Sequence, residues 1–351
     1  MKQITCIGIG LGNPDTLTIA AKHAIESCDL LIGASRMLAS FSHVTCSTFA
    51  SCKTNEICDY ILQHPEFQNI GLLFSDVHGN TTALEAVYQD SIKQKVDKYW
   101  FLGDLFSPGP GAQDLWDLFK QINPEICIRG NWDDLFLNAL RGVVDTDRTS
   151  LVYISKLAQT LSERLDANEV TSTIKKWPIR EETRVRDIRV GLTHNLPDLN
   201  YGQALYPTEK QRNFNELFDG NQNLDLAIYA HVHHPLMRYS SDEQFVLNPG
   251  SVGQPFFAWD KFQKDMRAEY LILEIDEHGI QETNFRKVYY DRDLEYKRAE
   301  LANLPYLDIY KLQLVTGKVH THDHELMKKI NDERGYLKDV IKFNEKVRKK
   351  G

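Results

Sequence analysis

At 351 residues the chain is long for one domain and comfortable for two, so a sizeable core can form without disulfide staples. Its formal net charge of -8 excludes a surface that neutralises many phosphates, and with it nucleic acid as a bulk partner. No apolar run approaches the roughly 20 residues that a membrane helix requires, which excludes the membrane as a partner.

Residues 3 to 9 read as a short buried strand, followed by the turn Gly8-Ile-Gly10-Leu-Gly12-Asn13-Pro14-Asp15 and a helix over Thr16 to Ser27. A strand over Leu30 to Ile32 and a helix around Thr54 to Leu62 complete a small α/β piece, residues 1–69. Five of the six cysteines fall here, and the start of the chain does not read as a signal peptide. They are expected to be reduced cytoplasmic thiols. The even spacing of Cys46, Cys52 and Cys58 is not a usual zinc spacing.

The pattern restarts at Asn69. Ile70 to Ser75 is an apolar strand that ends at Asp76, and Thr81 to Lys95 follows as an amphipathic helix with Asn80 as its N-cap. Lys98 to Leu102 is a strand ending at Asp104, Ala112 to Gln121 a helix, and Glu125 to Ile128 a strand just before Gly130-Asn131. The polar, helix-compatible stretch from about 135 to 177 is expected to be a helical insertion or cap. Val190 to Thr193 is a strand ending at His194, and Leu226 to Ala230 one ending at His231. Between them, Asn200 to Asn223 reads as a long loop with a short helix. After a loop from Asn248 to Pro255, Tyr270 to Ile275 and Phe285 to Tyr290 alternate as strands and suggest a second sheet. The main domain is thus 70–291, and the charged stretch 292–351 is a helical extension.

Seven metal-type side chains punctuate this domain: Asp76, His78, Asp104, Asn131, His194, His231 and His233. They sit at the carboxyl ends of successive strands, where an α/β sheet places its ligand crevice. Taken singly, each block has an ordinary explanation as a helix cap or a turn. Five blocks in one order are not explained that way. Two divalent metals roughly 3.5 to 4 Å apart can clamp the attacking and leaving oxygens of a displacement at phosphorus. Asp104, central in the order, is the candidate to bridge them. Asp76, His78 and His233 would complete one site, and Asn131, His194 and His231 the other. Along an extended segment His231 and His233 would point to one side, so each must be re-aimed at the strand end. A donor set of imidazole, carboxylate and amide without thiolate suits manganese first, with iron, zinc, cobalt or nickel as alternatives.

These residues carry a family resemblance. Residues 70 to about 290 resemble the calcineurin-like metallophosphoesterases, in the small bacterial phosphodiesterase branch. The matching motifs are Asp76-Val-His78-Gly-Asn80, Gly103-Asp104, Gly130-Asn131-Trp132-Asp133, His194-Asn195, Ala230-His231-Val-His233 and Asn248-Pro-Gly-Ser251-Val-Gly-Gln-Pro255. The resemblance implies a four-layer α/β/β/α sandwich, a metal-bridging hydroxide as nucleophile and no covalent enzyme intermediate. Asp104, Asn131 and His194 are the candidate catalytic residues. The expected substrate is a small phosphate monoester, diester or anhydride, a nucleotide among the candidates, and a homo-oligomer is compatible with all of this.

Three departures from the pattern stand out. Trp132 occupies the place of a histidine thought to assist the leaving group, and an indole neither donates a proton at useful pKa nor accepts one. Aryl phosphates and phosphoanhydrides are therefore expected to react better than alkyl monoesters. Asn195 replaces a glycine, and Phe256 stands where a charged residue is common. Trp132, Phe106, Tyr201, Phe256 and Phe257 would offer stacking faces to a nucleobase, or are simply packing residues. His320, His322 and His324 read as a polar turn.

Residues 1 to about 70 resemble the start of the cobalt-precorrin methyltransferases of the tetrapyrrole methylase family, on Ile7-Gly8-Ile-Gly10-Leu-Gly12-Asn13-Pro14-Asp15 and Leu31-Ile32-Gly33-Ala34-Ser-Arg36. That family needs a much longer chain, so no methyl transfer is expected. The competing functions are a metal-binding scaffold without turnover and, last, a methyltransferase relative.

Overall fold

The computed structural model describes residues 70–218 and 223–349, and within the N-terminal segment residues 25, 28, 30–41, 46–51, 53, 56, 57 and 60. The strand over 3–9, the glycine turn, nearly all of the helix over 16–27 and Cys6, Cys52 and Cys58 lie outside the described residues. The chain divides into two compact units, Met1–Asn69 and Ile70–Gly351. In the first, β1 (Leu30–Gly33) pairs in parallel with β2 (Ser47–Ala50), Leu30 opposite Ser47. The Cys28 thiol donates to Cys46 Sγ at 3.5 Å, and the two are not joined in a disulfide.

The second unit is built on two five-stranded sheets. β3 (Ile70–Phe74), β4 (Lys98–Phe101), β5 (Ile126–Cys127), β11 (Ala268–Asp276) and β12 (Gly279–Val288) form one, in the order β12-β11-β3-β4-β5. The strands expected to start a second sheet instead complete the first, because β11 pairs antiparallel with β3, Leu271 opposite Leu73. The reason is burial. β11 sends Ala268, Tyr270 and Ile272 into one core and Leu271, Leu273 and Ile275 into another, and a strand apolar on both faces belongs inside a covered sheet.

The other sheet consists of β6 (Arg180–Val185), β7 (Ile188–Thr193), β8 (Leu226–Ile228), β9 (Pro235–Tyr239) and β10 (Phe245–Pro249), in the order β6-β7-β8-β10-β9. The sequence reading gave no sign of β6 and β9, which are edge strands with polar or proline-bearing sequences. Asn248 and Pro249, read as loop, end β10.

Period-two alternation then builds the layers. Leu73, Trp100, Leu102 and Ile128 meet Val190, Leu192, Leu226, Ile228 and Leu247 between the sheets. Leu72, Phe74 and Phe101 face the other way, onto Leu84 and Val87 of α1 (Thr81–Lys93) and Leu115, Trp116 and Phe119 of α2 (Gln113–Ile122). The outer face of the second sheet is covered by Phe214, Leu217 and Phe218, from the short helix α6 (Gln211–Asn215) and the turn that follows it. Helix, sheet, sheet and helix make the expected four layers.

The helical insertion starts earlier than 135. α3 (Asn131–Leu140) begins at Asn131 itself, because Gly130 is its N-cap and the Asp133 carboxylate accepts the Gly130 N–H at 2.8 Å. α4 (Thr149–Ser162) and α5 (Ala167–Ile174) follow. Nor is the stretch polar throughout. Tyr153, Ile154 and Leu157 of α4 share a core with Ala299, Leu304, Tyr306, Ile309, Tyr310, Leu314 and Met327. Those come from the C-terminal helices α7 (Arg292–Leu301), α8 (Leu307–Thr316) and α9 (His324–Arg334) and the turn between α7 and α8. α10 (Tyr336–Arg348) ends the chain's described part, and the C-terminal extension is packed into the second unit.

One buried carboxylate fastens that extension to α1. Glu295 of α7 accepts the Thr82 N–H at 3.1 Å, the Thr82 hydroxyl at 2.5 Å and the Tyr310 hydroxyl at 2.9 Å. The first of these donors is an orphan of the helix start. Glu295→Ala strands all three in a dry setting, so it is expected to lower stability by about 2 to 4 kcal/mol. Glu295→Gln, which keeps an acceptor, should cost less than half as much. Urea melts of the two variants check this, and equal losses would show that the acceptor is not what matters.

Candidate metal centre

Both sheets deliver their candidate ligands at the carboxyl ends of strands. Asp76 follows β3, Asp104 follows β4 and Asn131 follows β5, while His194 follows β7 and His231 and His233 follow β8. Five of the seven are in the left-handed region: Asp76 at φ 53°, His78 at 51°, Asp104 at 63°, His231 at 64° and His233 at 57°. Residues with a Cβ pay about 1 kcal/mol or more for that conformation, and it persists only where the surroundings impose it. The strand ends need it for aim. His231 turns its Nδ1 to within 2.9 Å of Asn131 Oδ1, whereas His233 sends its Nε2 to 3.1 Å from Asp76 Oδ1.

All seven side chains converge. His78 Nε2 lies 3.2 Å from His233 Nε2 and 3.7 Å from Asp76 Oδ1, and His194 Nε2 lies 3.1 Å from Asn131 Oδ1. Asp104 Oδ2 stands between the groups, 3.3 Å from His194 Nε2 and 3.8 Å from His78 Nε2. Its other oxygen accepts the Trp132 N–H at 2.8 Å and is thereby taken. Asp76, His78 and His233 form one cluster suited to a cation, and Asp104, His194 and His231 the other.

The hydrogen bonds behind the rings decide what these atoms offer. His78 Nδ1 faces the Ser107 carbonyl at 2.8 Å, His194 Nδ1 the Leu102 carbonyl at 2.6 Å and His233 Nδ1 the Gln254 carbonyl at 2.6 Å. A carbonyl only accepts, so each Nδ1 carries a proton, and each ring, when neutral as a metal ligand must be, turns the lone pair of Nε2 into the centre. Lone pairs then confront lone pairs: Nε2 of His78 against Nε2 of His233, and Nε2 of His194 against the Asn131 oxygen. Asp76 Oδ1 and Asp104 Oδ2 are buried there with no hydrogen-bond donor. Acceptors packed against acceptors in a dry site fit divalent cations.

Without cations, charge within the centre falls back on protons. Burial would raise both carboxyls, yet the facing imidazoles outweigh it and hold Asp104 below the ordinary range and Asp76 well below it. Burial would likewise lower His194, but the Asp104 carboxylate lifts it to about 10. His231 is pushed down to about 4 by burial and by the charge on His194.

Known proteins resemble this chain over the stretch that carries these residues. A family model described as the calcineurin-like phosphoesterase superfamily domain matches residues 70–278. The chain belongs to the calcineurin-like phosphoesterase superfamily. A second model, for tetrapyrrole (corrin/porphyrin) methylases, matches residues 3–91. Its last part, 70–91, overlaps β3 and most of α1 of the phosphoesterase unit. An uncharacterized protein of Methanocaldococcus jannaschii is 24% identical over 229 residues, 58% of this chain and 87% of that protein. The crystal structure of a metallophosphoesterase from Sphaerobacter thermophilus superposes with a TM-score of 0.53 at 26% identity, covering 71% of this chain and 100% of that one. A hypothetical protein from Pyrococcus horikoshii OT3 shares the fold, with a TM-score of 0.58 at 17% identity over 71% of this chain and 98% of the other.

Behind the candidate ligands stands a set of residues to which sequence reasoning assigned no role. The Asp133 carboxylate accepts the N–H groups of Gly130, Asp104 and Leu105 at 2.8, 3.0 and 3.2 Å, so it ties two ligand loops together. Its position two residues after Asn131, at the N3 of α3, is the signal that was there to be read. Gly130 is required by contact, since a Cβ on it would fall 2.1 Å from Asp104 Oδ1. Ser251 donates its hydroxyl to the Asp76 carbonyl at 2.9 Å and accepts the Gln254 N–H at 2.9 Å. It thus holds the loop whose Gln254 carbonyl orients His233.

That loop rests on a buried acid. Glu269 lies under Gly250, where an added Cβ would sit 2.5 Å from Glu269 Oε2, with Lys287 Nζ 2.9 Å from Oε1. Burial, against the pull of Lys287, raises its carboxyl to about 7 from 4.5. The folded state therefore favours the proton, and this stability is present below about pH 4.5 and lost as pH rises through about 7. Glu269→Gln keeps the neutral shape at every pH. Relative to the parent, it should gain about 3 kcal/mol between the two ends of that range. Denaturation at several pH values checks it, and parallel curves for the two proteins would sink the idea.

The remaining expectations divide. Phe106 is fully buried in the core and offers no face to a substrate. Trp132 is half-buried and meets the His78 ring edge-on at 5.4 Å. Phe256 and Phe257 pack edge-on against His234, each with 5.6 Å between centroids, and Tyr201 is exposed. Asn195 is buried and its amide donates to the Gly202 carbonyl at 3.2 Å, so it braces a loop. His324 Nδ1 is 3.1 Å from the Thr149 hydroxyl and His320 Nδ1 is 4.0 Å from Asp323, and these rings make no metal cluster among the described residues. No helix of the described residues is long and apolar enough to cross a membrane.

Proposed function

We propose that this chain hydrolyses a phosphate ester or anhydride bond of a small substrate, using two divalent cations. One observation carries the reading: Nε2 of His78, His233 and His194, the Asn131 amide oxygen and the otherwise unpartnered oxygens of Asp76 and Asp104 are packed together, and with the three rings neutral none of these atoms is a donor. Asp76, His78 and His233 would hold one cation and Asn131, His194 and His231 the other, with Asp104 Oδ2 shared. When bound, such a pair supplies a water of lowered pKa and offsets the negative charge that develops on the phosphoryl oxygens.

The chain's own part is to fix and to exclude. Backbone carbonyls of Ser107, Leu102 and Gln254 lock three imidazoles in one tautomer and one orientation. The Trp132 backbone N–H fixes Asp104, while its indole occupies ground beside His78 and has no proton acidic enough to transfer to a leaving group. The substrate that suits such a site carries a leaving group stable as an anion, an aryl phosphate or a phosphoanhydride, with nucleotides among the latter. Nitrogen and oxygen donors without sulfur favour manganese, with iron, zinc, cobalt and nickel as the alternatives.

Chelation followed by reconstitution tests the reading. Chelated protein should lose hydrolysis of bis-p-nitrophenyl phosphate and of p-nitrophenyl phosphate, and recover it with manganese at two equivalents per chain, about as far as any other metal allows. Stoichiometric metal binding with no turnover of esters or anhydrides would refute the enzymatic reading in favour of a scaffold.

A further inference from the structure

A cavity of about 350 Å³, lined by none of the seven candidate ligands, lies between the loop that follows Gln254 and the segment joining β12 to α7. That volume is within the range of small-molecule sites, roughly 300 to 1,000 Å³. Its cations are Lys261, Lys264, Arg267 and Arg292, and its rings are Tyr289 and Tyr290. The one carboxylate in the wall, Asp265, is already saturated: Arg267 binds it through two nitrogens at 2.7 and 2.8 Å, and Lys287 at 3.1 Å. Among the described residues no carboxylate lies within ion-pair distance of Lys261, Lys264 or Arg292. In a chain of net charge -8, four cations and one carboxylate line this cavity.

The walls are held in place. A Cβ on Gly317, at the end of α8, would lie 2.8 Å from Met266 Sδ and 3.0 Å from the Gln263 carbonyl, so the loop is seated tightly on the C-terminal extension. The Arg267 guanidinium lies 5.2 Å from the centroid of the Tyr289 ring, which is 80% exposed. On the inner side, the Tyr290 hydroxyl receives the Asn80 amide at 3.2 Å, and Asn80 is two residues from His78.

We propose that this cavity is a second anion site, which takes the phosphates of a nucleoside diphosphate on Lys261, Lys264 and Arg292 and its base on Tyr289. The shared chemistry is a diphosphate carrying an aromatic ring. The inference does not rest on the hydrolytic reading, since binding here needs neither metal nor turnover.

Calorimetric titration of the full chain with ADP, in the presence of a chelator, tests it directly. Binding is expected, with affinity falling as salt rises. Lys261→Glu/Lys264→Glu, checked by its thermal melt, should weaken it tenfold or more, whereas Asp76→Asn at the metal centre should leave it as it was. Tyr289→Ala should weaken ADP and spare inorganic pyrophosphate, and an equal effect on both would overturn the part given to the ring. Failure of ADP to bind at millimolar concentration would overturn the site, as would binding lost in Asp76→Asn and kept in the double lysine variant.

Discussion

Asp104→Asn is expected to abolish metal-dependent hydrolysis while leaving the fold intact. The substitution is chosen to separate charge from shape. Asparagine tolerates the left-handed backbone at this position, φ 63°, better than other residues with a side chain. It also keeps an oxygen to accept the Trp132 N–H, now 2.8 Å from Oδ1. What it removes is the negative charge at Oδ2, the atom that faces both His194 and His78. In its place an amide N–H would donate toward His194 Nε2, so the metal-free variant should melt no lower than the metal-free parent. Metal content should fall from about two ions to one or fewer, and the rate on an aryl phosphate by on the order of 10³-fold, about 4 kcal/mol of transition-state stabilisation. His194→Ala should match the loss of rate and add a loss of stability, because it also strands the Leu102 carbonyl. Full activity in Asp104→Asn would remove the shared ligand from the scheme.

The difference between those two variants shows where the sequence was legible. Asp104 and His194 could be read because each is a rare residue type closing an apolar run, and because the order of the blocks is itself information. The Leu102, Ser107 and Gln254 carbonyls, which choose the tautomers, could not, since every residue has a carbonyl and only the fold says which one is near. The left-handed backbone at Asp76, His78, Asp104, His231 and His233 was half legible: the need to re-aim His231 and His233 follows from strand geometry, while the means does not. Among the strands, Tyr270 to Ile275 was found but put in the wrong sheet, because alternation reports a strand's existence and not its neighbours. Arg180–Val185 escaped notice altogether, since an edge strand buries little and its charges look like loop. The four layers were reached through the resemblance, not through any element count.

Trp132 bears on the step that this geometry leaves unassisted. Its ring sits edge-on to His78 at 5.4 Å, half-buried at the second position of α3, and an indole cannot protonate a departing oxygen. With no acid at that place, the oxygen must leave as an anion, and the rate must depend steeply on how stable that anion is. For a series of phosphate esters, the parent should therefore show a steep fall in rate from nitrophenol to alkyl leaving groups. Trp132→His puts a group of pKa near neutrality on the same helix position. General acid assistance is worth about 10² to 10⁴ where geometry is good, and an unrefined placement should recover about 10- to 100-fold on alkyl esters. On p-nitrophenyl esters, whose leaving group needs no proton, the variant should change little. The gain should also fade as pH rises past the imidazole's pKa, because only the protonated ring can donate. Rates across the leaving-group series decide it. If Trp132→His raises or lowers all esters by the same factor, the indole governs access or packing, and the absence of an acid is not what would shape the choice of substrate.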